Sequence, residues 1–360
     1  MKQKIMLGLS SLLLTTSALA EINISGFASV VGGQVLEGSG IAEYGLDPTF
    51  LADYPSVGAY NEDKISFNPD TLLGLQFSAD LLDGLSATMQ LVARGVDNFE
   101  ADFEWAYLSY NMSESWTIQA GKKRLPLYYY SDFFDVGYAY PWIRPPADNY
   151  TWQISNYTGI SALYNYQLGD WSMSGQFYYG EEDSEPNKLL SEFFFGEKTR
   201  EIWKDIAGIV LQFNRDWLDI RATHMQYGNE RYRSDVQVIW NDGTNTRKGK
   251  FYGLSVNIEY DNVIILTELN RLTIEGTDND TYLVTFGYRF DDLMPYVSYS
   301  DFDDGEGGEV HNTSSLGIRW DFHPSAALKI QYDDIEDNGG PDLKVAGDST
   351  SLTVGIDVVF

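Results

Sequence analysis

The strongest constraint on the fold is a repeat of alternating apolar and polar residues, which runs from Glu21 to Phe360 with a turn after about every ten residues. Successive side chains of a strand point to opposite faces, so this period of two predicts strands with one apolar and one polar face. The clearest segment alternates Phe99, Ala101, Phe103, Trp105 and Tyr107 with Glu100, Asp102 and Glu104. A shift of one residue would turn three carboxylates towards the apolar side. We therefore expect the aromatic face to point outward and the acids to face a lumen.

The connections between these segments are alternately short and long. Short turns rich in Asp, Asn, Gly, Ser and Pro are typical of tight hairpins, and they lie at 83–84, 111–115, 168–170, 214–216, 261–262, 291–292 and 323–325. The long connections lie near 36–68, 95–98, 122–152, 181–204, 228–249, 271–279, 302–311 and 337–349. Fifteen connections imply sixteen strands with both chain ends on the short-turn side. The sequence therefore predicts an all-β transmembrane antiparallel β-barrel of about 16 strands, because only helices and closed barrels satisfy their backbone in lipid.

Aromatic residues are concentrated next to the short turns, where they are expected at a membrane interface. They are Trp116, Tyr166, Trp171, Phe213, Trp217, Tyr260, Phe290, Phe322 and Phe360. A soluble β-sandwich is the alternative, but it has no reason to place Trp and Phe at one end of so many hairpins. The formal net charge of −29 excludes nucleic acid as a main partner, since phosphate needs a basic surface.

The first twenty residues differ from the rest of the chain. Lys2 and Lys4 precede an apolar stretch from Ile5 to Leu14, and Ala18-Leu19-Ala20 follows with a small–x–small pattern. This order is that of a secretory signal peptide, whereas a buried N-terminal helix is the alternative. We expect residues 1–20 to be removed and residues 21–360 to form a single barrel domain. The chain contains no cysteine, so disulfides contribute nothing to its stability.

The third long connection is the candidate for an infolded loop that narrows the pore. It holds Tyr128-Tyr129-Tyr130, Phe133-Phe134 and Trp142, which a solvated outer loop would not carry. Its basic residues Lys122, Lys123, Arg124 and Arg144 are expected to oppose Asp132 and Asp135 at a constriction, where rings of charge set ion selectivity. Alternatively, the aromatic residues form a contact between subunits or fill a crevice.

The chain as a whole resembles a known family, the Gram-negative trimeric porins. The resemblance rests on the signal peptide, the sixteen-strand layout, the long third connection and the terminal Phe360, and it covers the whole mature chain. The segment from Gly137 to Pro146 (GYAYPWIRPP) is similar to one in porin-like proteins of marine gammaproteobacteria. The third connection lacks the Pro-Glu-Phe-Gly-Gly stretch of the enteric general porins, so constriction residues cannot be transferred from them one by one.

The resemblance implies a bacterial outer-membrane channel for passive diffusion of ions and small polar solutes. It also implies a homotrimer, contact with outer-membrane lipids and lipopolysaccharide, and recognition of Phe360, after Ile356 and Val358, by the barrel-assembly machinery. The alternation of inward and outward positions along the strands places further charges in the lumen. They are the acids Glu100, Asp102, Glu104, Asp219, Glu259, Glu268, Asp321 and Asp333, and the bases Arg94, Arg221, Arg289, Arg319 and Lys329. The sign of the selectivity stays open, because the acid excess favours cations and the basic cluster favours anions.

Other functions are less well supported by the sequence. His224, His311 and His323 are the three histidines, and nothing places them beside a serine nucleophile, so we expect no enzyme. No nucleotide motif appears, and the acidic loop at 301–309 lacks calcium-loop spacing, so we expect no cofactor and no metal site. Weak binding of divalent cations by this acidic loop is the alternative. The alternatives are a sugar- or anion-selective channel, with the third loop as binding site, and a surface adhesin or receptor that uses the acidic loops.

Overall fold

A computed structural model describes residues 22–41, 45–62, 64–240, 242–274, 277–305, 307–340 and 346–360. The predicted signal peptide and Glu21 lie outside these residues, so their removal stays a prediction. Sixteen wall strands are present in the described chain: β1 (Ile22–Gly38), β2 (Leu72–Leu82), β3 (Leu85–Arg94), β4 (Ala101–Asn111), β5 (Trp116–Arg124), β6 (Asn156–Leu168), β7 (Trp171–Ser184), β8 (Thr199–Arg215), β9 (Leu218–Arg233), β10 (Arg247–Tyr260), β11 (Val263–Ile274), β12 (Thr277–Tyr288), β13 (Leu293–Asp303), β14 (Val310–His323), β15 (Ala326–Asp337) and β16 (Ser349–Val359).

The wall strands close into one antiparallel barrel. Each strand pairs with its neighbour in sequence, and β1 pairs with β2 on one edge and with β16 on the other. At the closure, Phe27 lies opposite Val359, and Gly26 exchanges two backbone hydrogen bonds of 2.8 and 3.0 Å with Phe360. The Phe360 ring covers Gly26, where a Cβ would come within 2.5 Å of it. The prediction of a sixteen-strand barrel is confirmed.

The short elements lie in the connections. A hairpin of two strands, Thr49–Asp53 and Gly58–Asn61, lies between β1 and β2, and a two-residue strand, Val236–Gln237, follows β9. Among the described residues, single 3₁₀ turns occur at Gly95–Asp97, Ser131–Phe133 and Gly137–Ala139, and a short π-helix covers Leu189–Phe194. No helix in the described part of the chain is long and apolar enough to span a bilayer.

The strands present apolar side chains outward and polar side chains inward. On β16, Leu352, Val354 and Ile356 are 40–44% exposed, whereas the alternate residues Thr353 and Asp357 are buried. The seven short turns lie where the sequence predicted them, and aromatic side chains from Trp116 to Phe360 are exposed beside them. The strands extend further into the long connections than expected. At 271–279 the ladder continues to the pair Ile274–Thr277.

One predicted face is wrong. A bulge on β4 skips Glu104, since Gln90 pairs with Trp105 and Leu91 pairs with Phe103. An extra residue in a bulge reverses which later residues face inward, so Trp105 and Tyr107 point into the lumen. Phe103 stays outward, at 52% exposed, and the acids Asp102 and Glu104 do lie on the inner side.

Candidate channel and its third loop

The third loop, residues 125–155 between β5 and β6, crosses the inside of the barrel. Its Trp142 indole donates to Thr285 Oγ1 on β12 at 3.0 Å, and its Ile143 amide donates to Gln331 Oε1 on β15 at 2.8 Å. The Tyr138 hydroxyl reaches the carbonyl of Pro324, in a short turn, at 2.9 Å. The loop therefore folds into the lumen, as predicted, and extends to the short-turn end of the barrel.

An apolar core joins this loop to one side of the wall. The loop contributes Leu125, Leu127, Tyr128, Tyr140, Trp142, Tyr150, Trp152 and Ile154, and the wall contributes Tyr157, Tyr178, Trp203, Ile206, Val210, Met225, Tyr227, Phe251, Leu272, Leu283 and Tyr296. Burial holds the pKa of the Tyr140 and Tyr150 phenols well above its ordinary value, so both act as neutral groups. Most of the predicted aromatic residues thus pack inside the lumen beside β6–β13, where burial removes their apolar rings from water.

Buried bases of the wall hold the backbone of the loop. Lys329 Nζ is fully buried, donates to the carbonyls of Gly137 and Trp142 at 2.5 and 2.6 Å, and lies 2.8 Å from Asp357. Arg319 donates to the carbonyls of Tyr138 and Tyr140 at 2.8 and 2.9 Å. Arg221 donates to the carbonyl of Pro126 at 2.9 Å. These inward bases were predicted to be lumen charges, and the geometry shows that they anchor the loop.

Arg144 connects the third loop to the first-loop hairpin. Its guanidinium lies 3.5 Å from Asp70 and 3.8 Å from Asp333, and it stacks over the rings of Phe50 and Tyr60 at 5.1 and 5.6 Å. The group is buried. Arg144 therefore does not line open water, and it fastens two loops to β15.

Four charges form a cluster where the loop leaves β5. Asp135 accepts from Arg94 at 2.8 Å and from Arg124 at 2.5 Å, and Glu104 lies 2.8 Å from Arg94 and 3.3 Å from Arg124. Asn156 donates to Glu104 at 2.9 Å. The expected opposition of Arg124 and Asp135 is present, together with Glu104 from the predicted set. Arg94 completes the cluster.

The remaining predicted site residues do not form a single group. Lys123 faces the lumen, beside Gln119 and 5.2 Å above the Tyr107 ring, and within electrostatic range of the exposed Asp132. Lys122 pairs with Ala106 and Thr158, whose side chains are exposed on the outer face. Its position in the wall is therefore an outward one, opposite to that of Lys123.

Glu100 and Arg289 lie at the two ends of the barrel. Glu100 is exposed in the connection before β4, at the outer mouth. Arg289 follows β12 at the short-turn end and pairs with Glu259 and Asp321 at 3.5 and 3.4 Å. Neither residue is part of the narrow region beside the third loop.

A buried group around His311 was not expected from the sequence. The Tyr54 hydroxyl of the first-loop hairpin lies 2.6 Å from His311 Nε2, and Asp148 of the third loop lies 2.5 Å from His311 Nδ1. Ser300 Oγ donates to the other oxygen of Asp148 at 2.5 Å. The serine is bonded to the acid and not to the imidazole, so the arrangement is not that of a nucleophile and its base. It joins both loops to β13 and β14.

Among the described residues, open cavities lie beside and below the packed loop, and two of them are polar. The outer cavity, of about 850 Å³, is lined by side chains of β3, β4 and β7, the third loop and residues 186–188. The inner cavity, of about 900 Å³, lies at the short-turn end of β6–β9 and is lined by Asn165, Tyr166, Gln167, Ser172, Met173, Ser174, Gln212, Asn214 and Asp219. On β5, Lys123 is next to Arg124 of the outer cavity, lies over the ring of Tyr107 and is within electrostatic range of Asp132.

A family model for Gram-negative porins matches residues 8–340, which is most of the chain. The chain is a Gram-negative porin. It follows that the barrel lies in the outer membrane and forms a water-filled channel for passive diffusion, and that the fold is that of a channel family. A comparison with curated protein sequences gives no match.

Solved porin structures share the fold at low sequence identity. The channel DcaP of Acinetobacter baumannii has a TM-score of 0.62 at 14% identity, covering 96% of this porin and 99% of that chain. OmpF of Salmonella typhi, in complex with daunomycin, has a TM-score of 0.62 at 13% identity, covering 95% and 98%. An anion-selective porin from Comamonas acidovorans has a TM-score of 0.59 at 12% identity, covering 95% and 100%. At these identities the likeness shows the fold alone.

Proposed function

We propose that ions and small polar solutes cross this porin along one lateral path between the third loop and β3–β7. The path joins the outer and inner cavities past Lys123 and Asp132. Its support is the uneven filling of the lumen: the third loop packs mainly towards β8–β16, whereas polar space remains along β3–β7 and at the short-turn end of β6–β9. On this proposal, the chain acts as a channel and not as an enzyme.

We further propose that the path prefers cations. In the outer cavity, Asp97 is paired with Lys188 at 2.6 Å, and the four-charge cluster is balanced. Asp102 is exposed and has no ion-pair partner among the described residues. The inner cavity is lined mostly by amides and hydroxyls, with Asp219 as its carboxylate. An uncompensated carboxylate in a narrow aqueous path raises the local concentration of cations.

The test is the reversal potential of the purified porin in a planar bilayer under a KCl gradient. We expect a cation-selective potential that Asp102→Asn reduces. The control is Asp334→Asn, which removes an exposed carboxylate on the outward face of β15 and should leave the potential unchanged. An anion-selective potential in the wild type, or equal potentials for wild type and Asp102→Asn, would contradict the cation preference.

We also propose a homotrimer. One similar structure, of the Vibrio cholerae protein OmpT, is described as a trimer form and matches at a TM-score of 0.56 and 12% identity. The same bilayer experiment tests assembly, because a trimer should open in steps grouped by three. We likewise propose that the barrel-assembly machinery recognises Phe360 and that the barrel contacts outer-membrane lipid and lipopolysaccharide.

A substrate-selective channel is the second candidate. It is favoured by the aromatic residues that the third loop presents to the open path, since Phe133 is 54% exposed and Tyr129 is half-buried. Such rings can stack on a sugar or hold an anion near Lys123. A current that saturates with substrate and is blocked by a sugar or an organic anion would support this candidate over simple diffusion.

A further inference from the structure

A third cavity, which we call the blind cavity, lies in the packed half of the barrel. It encloses about 600 Å³, a volume that includes its opening towards the solvent. It is formed by Tyr128, Thr151, Trp152 and Gln153 of the third loop, Leu189 and Phe194 of the π-helix, Phe251, Asn270, Leu272, Ile274, Asn279, Thr281 and Phe302 of β10–β13, and Glu309. Most of these wall positions lie near the long connections, so the blind cavity faces the outside of the cell.

The third loop closes the blind cavity below. Asn149 is fully buried there and accepts from Thr281 at 2.7 Å and from Asn270 at 3.1 Å. Next to it, the Tyr150 hydroxyl donates to Glu268 at 2.8 Å. Trp142 and Leu283, both buried, fill the space further down in the same apolar core. A solute that enters the blind cavity must therefore leave on the side from which it came, so this space does not conduct solutes across the barrel.

Aromatic rings give the blind cavity flat apolar walls. Trp152 lies at the centre, with its ring 5.2 Å from Trp203 and 6.1 Å from Phe251 in edge-on contacts. Tyr128 meets Phe251 edge-on at 5.5 Å. Rings fixed in this way present faces on which the apolar face of a sugar ring or another flat group can stack.

The same walls contain buried polar atoms without partners. Trp152 Nε1, Gln153 Oε1 and Asn270 Oδ1 are buried and have no hydrogen bond in the structure, and Trp203 Nε1 and Tyr227 Oη beside them share this property. Buried polar groups in proteins are nearly always paired, so such a group of atoms points to a missing partner. Donors and acceptors are both present. The carboxylate in the lining, Glu309, is paired with His311 at 3.2 Å.

We propose that the blind cavity binds a neutral oligosaccharide from the external medium. A sugar offers an apolar ring face to Trp152, and hydroxyl groups that both donate and accept hydrogen bonds. The absence of an unpaired base from the lining residues disfavours an anion. The barrel wall separates the blind cavity from the lipid, so a soluble saccharide is the source and not the sugar of a membrane lipid. This site goes beyond the proposed diffusion path, which lies on the other side of the third loop.

The test is equilibrium binding of radiolabelled maltotriose to the purified porin in detergent, at millimolar concentrations of the sugar. We expect saturable binding to the wild type. Trp152→Phe keeps a ring and removes one donor, and Gln153→Ala removes one acceptor; each should weaken binding about tenfold, as for the loss of one hydrogen bond to a ligand. Trp320→Phe and Gln226→Ala, on the outward face, are the matched controls and should bind normally.

The outcomes separate this site from the diffusion path. Saturable binding that Trp152→Phe weakens, with an ion current that maltotriose leaves unchanged, supports the blind cavity as proposed. Absence of saturable binding overturns the proposal. Equal weakening by the controls, or block of the current by the sugar that Trp152→Phe does not relieve, also overturns it, because the sugar would then bind elsewhere. A folded porin that is silent in the bilayer but binds the sugar would contradict the diffusion path alone.

Discussion

The two halves of the lumen use similar residues for opposite purposes. In the packed half, from β8 to β16, the bases Lys329, Arg319 and Arg221 are buried and bind carbonyls of the third loop. In the open half, from β3 to β7, Lys123, Asp132 and Asp102 border polar space. In this porin, an inward charge therefore faces the pore only where no backbone carbonyl or counterion satisfies it. Variants on either side locate the boundary between the two halves.

The largest effect is expected from Lys329→Met, which attacks the packed half. The change leaves Asp357 buried without its partner and releases two carbonyls of the third loop. Removing one member of a buried ion pair is destabilising by ~3–5 kcal/mol, so we expect the loop to detach locally. Single-channel conductance and the size of sugars admitted in liposome swelling should both rise. Lys250→Met, on the outward face of β10, is the control. A wild-type size limit in folded Lys329→Met would show that the apolar core alone holds the loop.

A smaller effect, on selectivity, is expected from Asp135→Asn at the boundary between the halves. Arg94 and Arg124 then share Glu104 as their carboxylate, so the narrow region gains one positive charge. The hydrogen bonds lost are to charged groups, for which ~1.5–3 kcal/mol each is typical. The reversal potential should shift towards anions, measured under a KCl gradient. The double variant Arg94→Gln with Asp135→Asn restores the charge balance and should return the potential towards the wild type. If it does not, geometry and not charge sets the selectivity here.

Much of this contrast could be predicted from the sequence, and the limits have physical causes. Strand number, turns and the infolded third loop follow from local patterns of alternation, turn residues and aromatic content. The face of Trp105 and Tyr107 was missed because the bulge at Glu104 is set by pairing with β3, which leaves no local signal. Parity correctly placed Lys329 and Arg319 inward, but it could not show that loop carbonyls would meet them. The contact of Tyr54 with His311 joins residues far apart in the chain, so only the folded barrel shows it.

A weaker effect again is expected from Tyr54→Phe, which tests the contact between the first loop and the packed half. The change removes the hydroxyl that lies 2.6 Å from His311 Nε2 and leaves the ring stacking, at 5.5 Å between centroids, in place. The loss of one buried hydrogen bond is worth ~1 kcal/mol. We expect a less firmly held first loop, seen as more frequent brief closures in single-channel records. Tyr332→Phe, on the outward face of β15, should leave the records unchanged. Identical closure rates in the two variants would show that the hydroxyl does not hold the loop.

The smallest effect is a pH dependence of the same hairpin. Burial of Asp53 raises the pKa of its carboxyl from 3.8 to about 6. Because the docked hairpin favours the protonated form, docking is strongest below about pH 4, weakens as the pH rises to about 6, and is constant above it. Brief closures should therefore become more frequent across this window and less so in Asp53→Asn, which stays neutral. The Ser56 amide that donates to Asp53 at 2.6 Å keeps its acceptor in the variant, so the hairpin turn itself is retained. If Asp53→Asn has the same pH dependence as the wild type, the titrating group lies elsewhere, and the docking of the first loop does not cause the pH dependence of the closures.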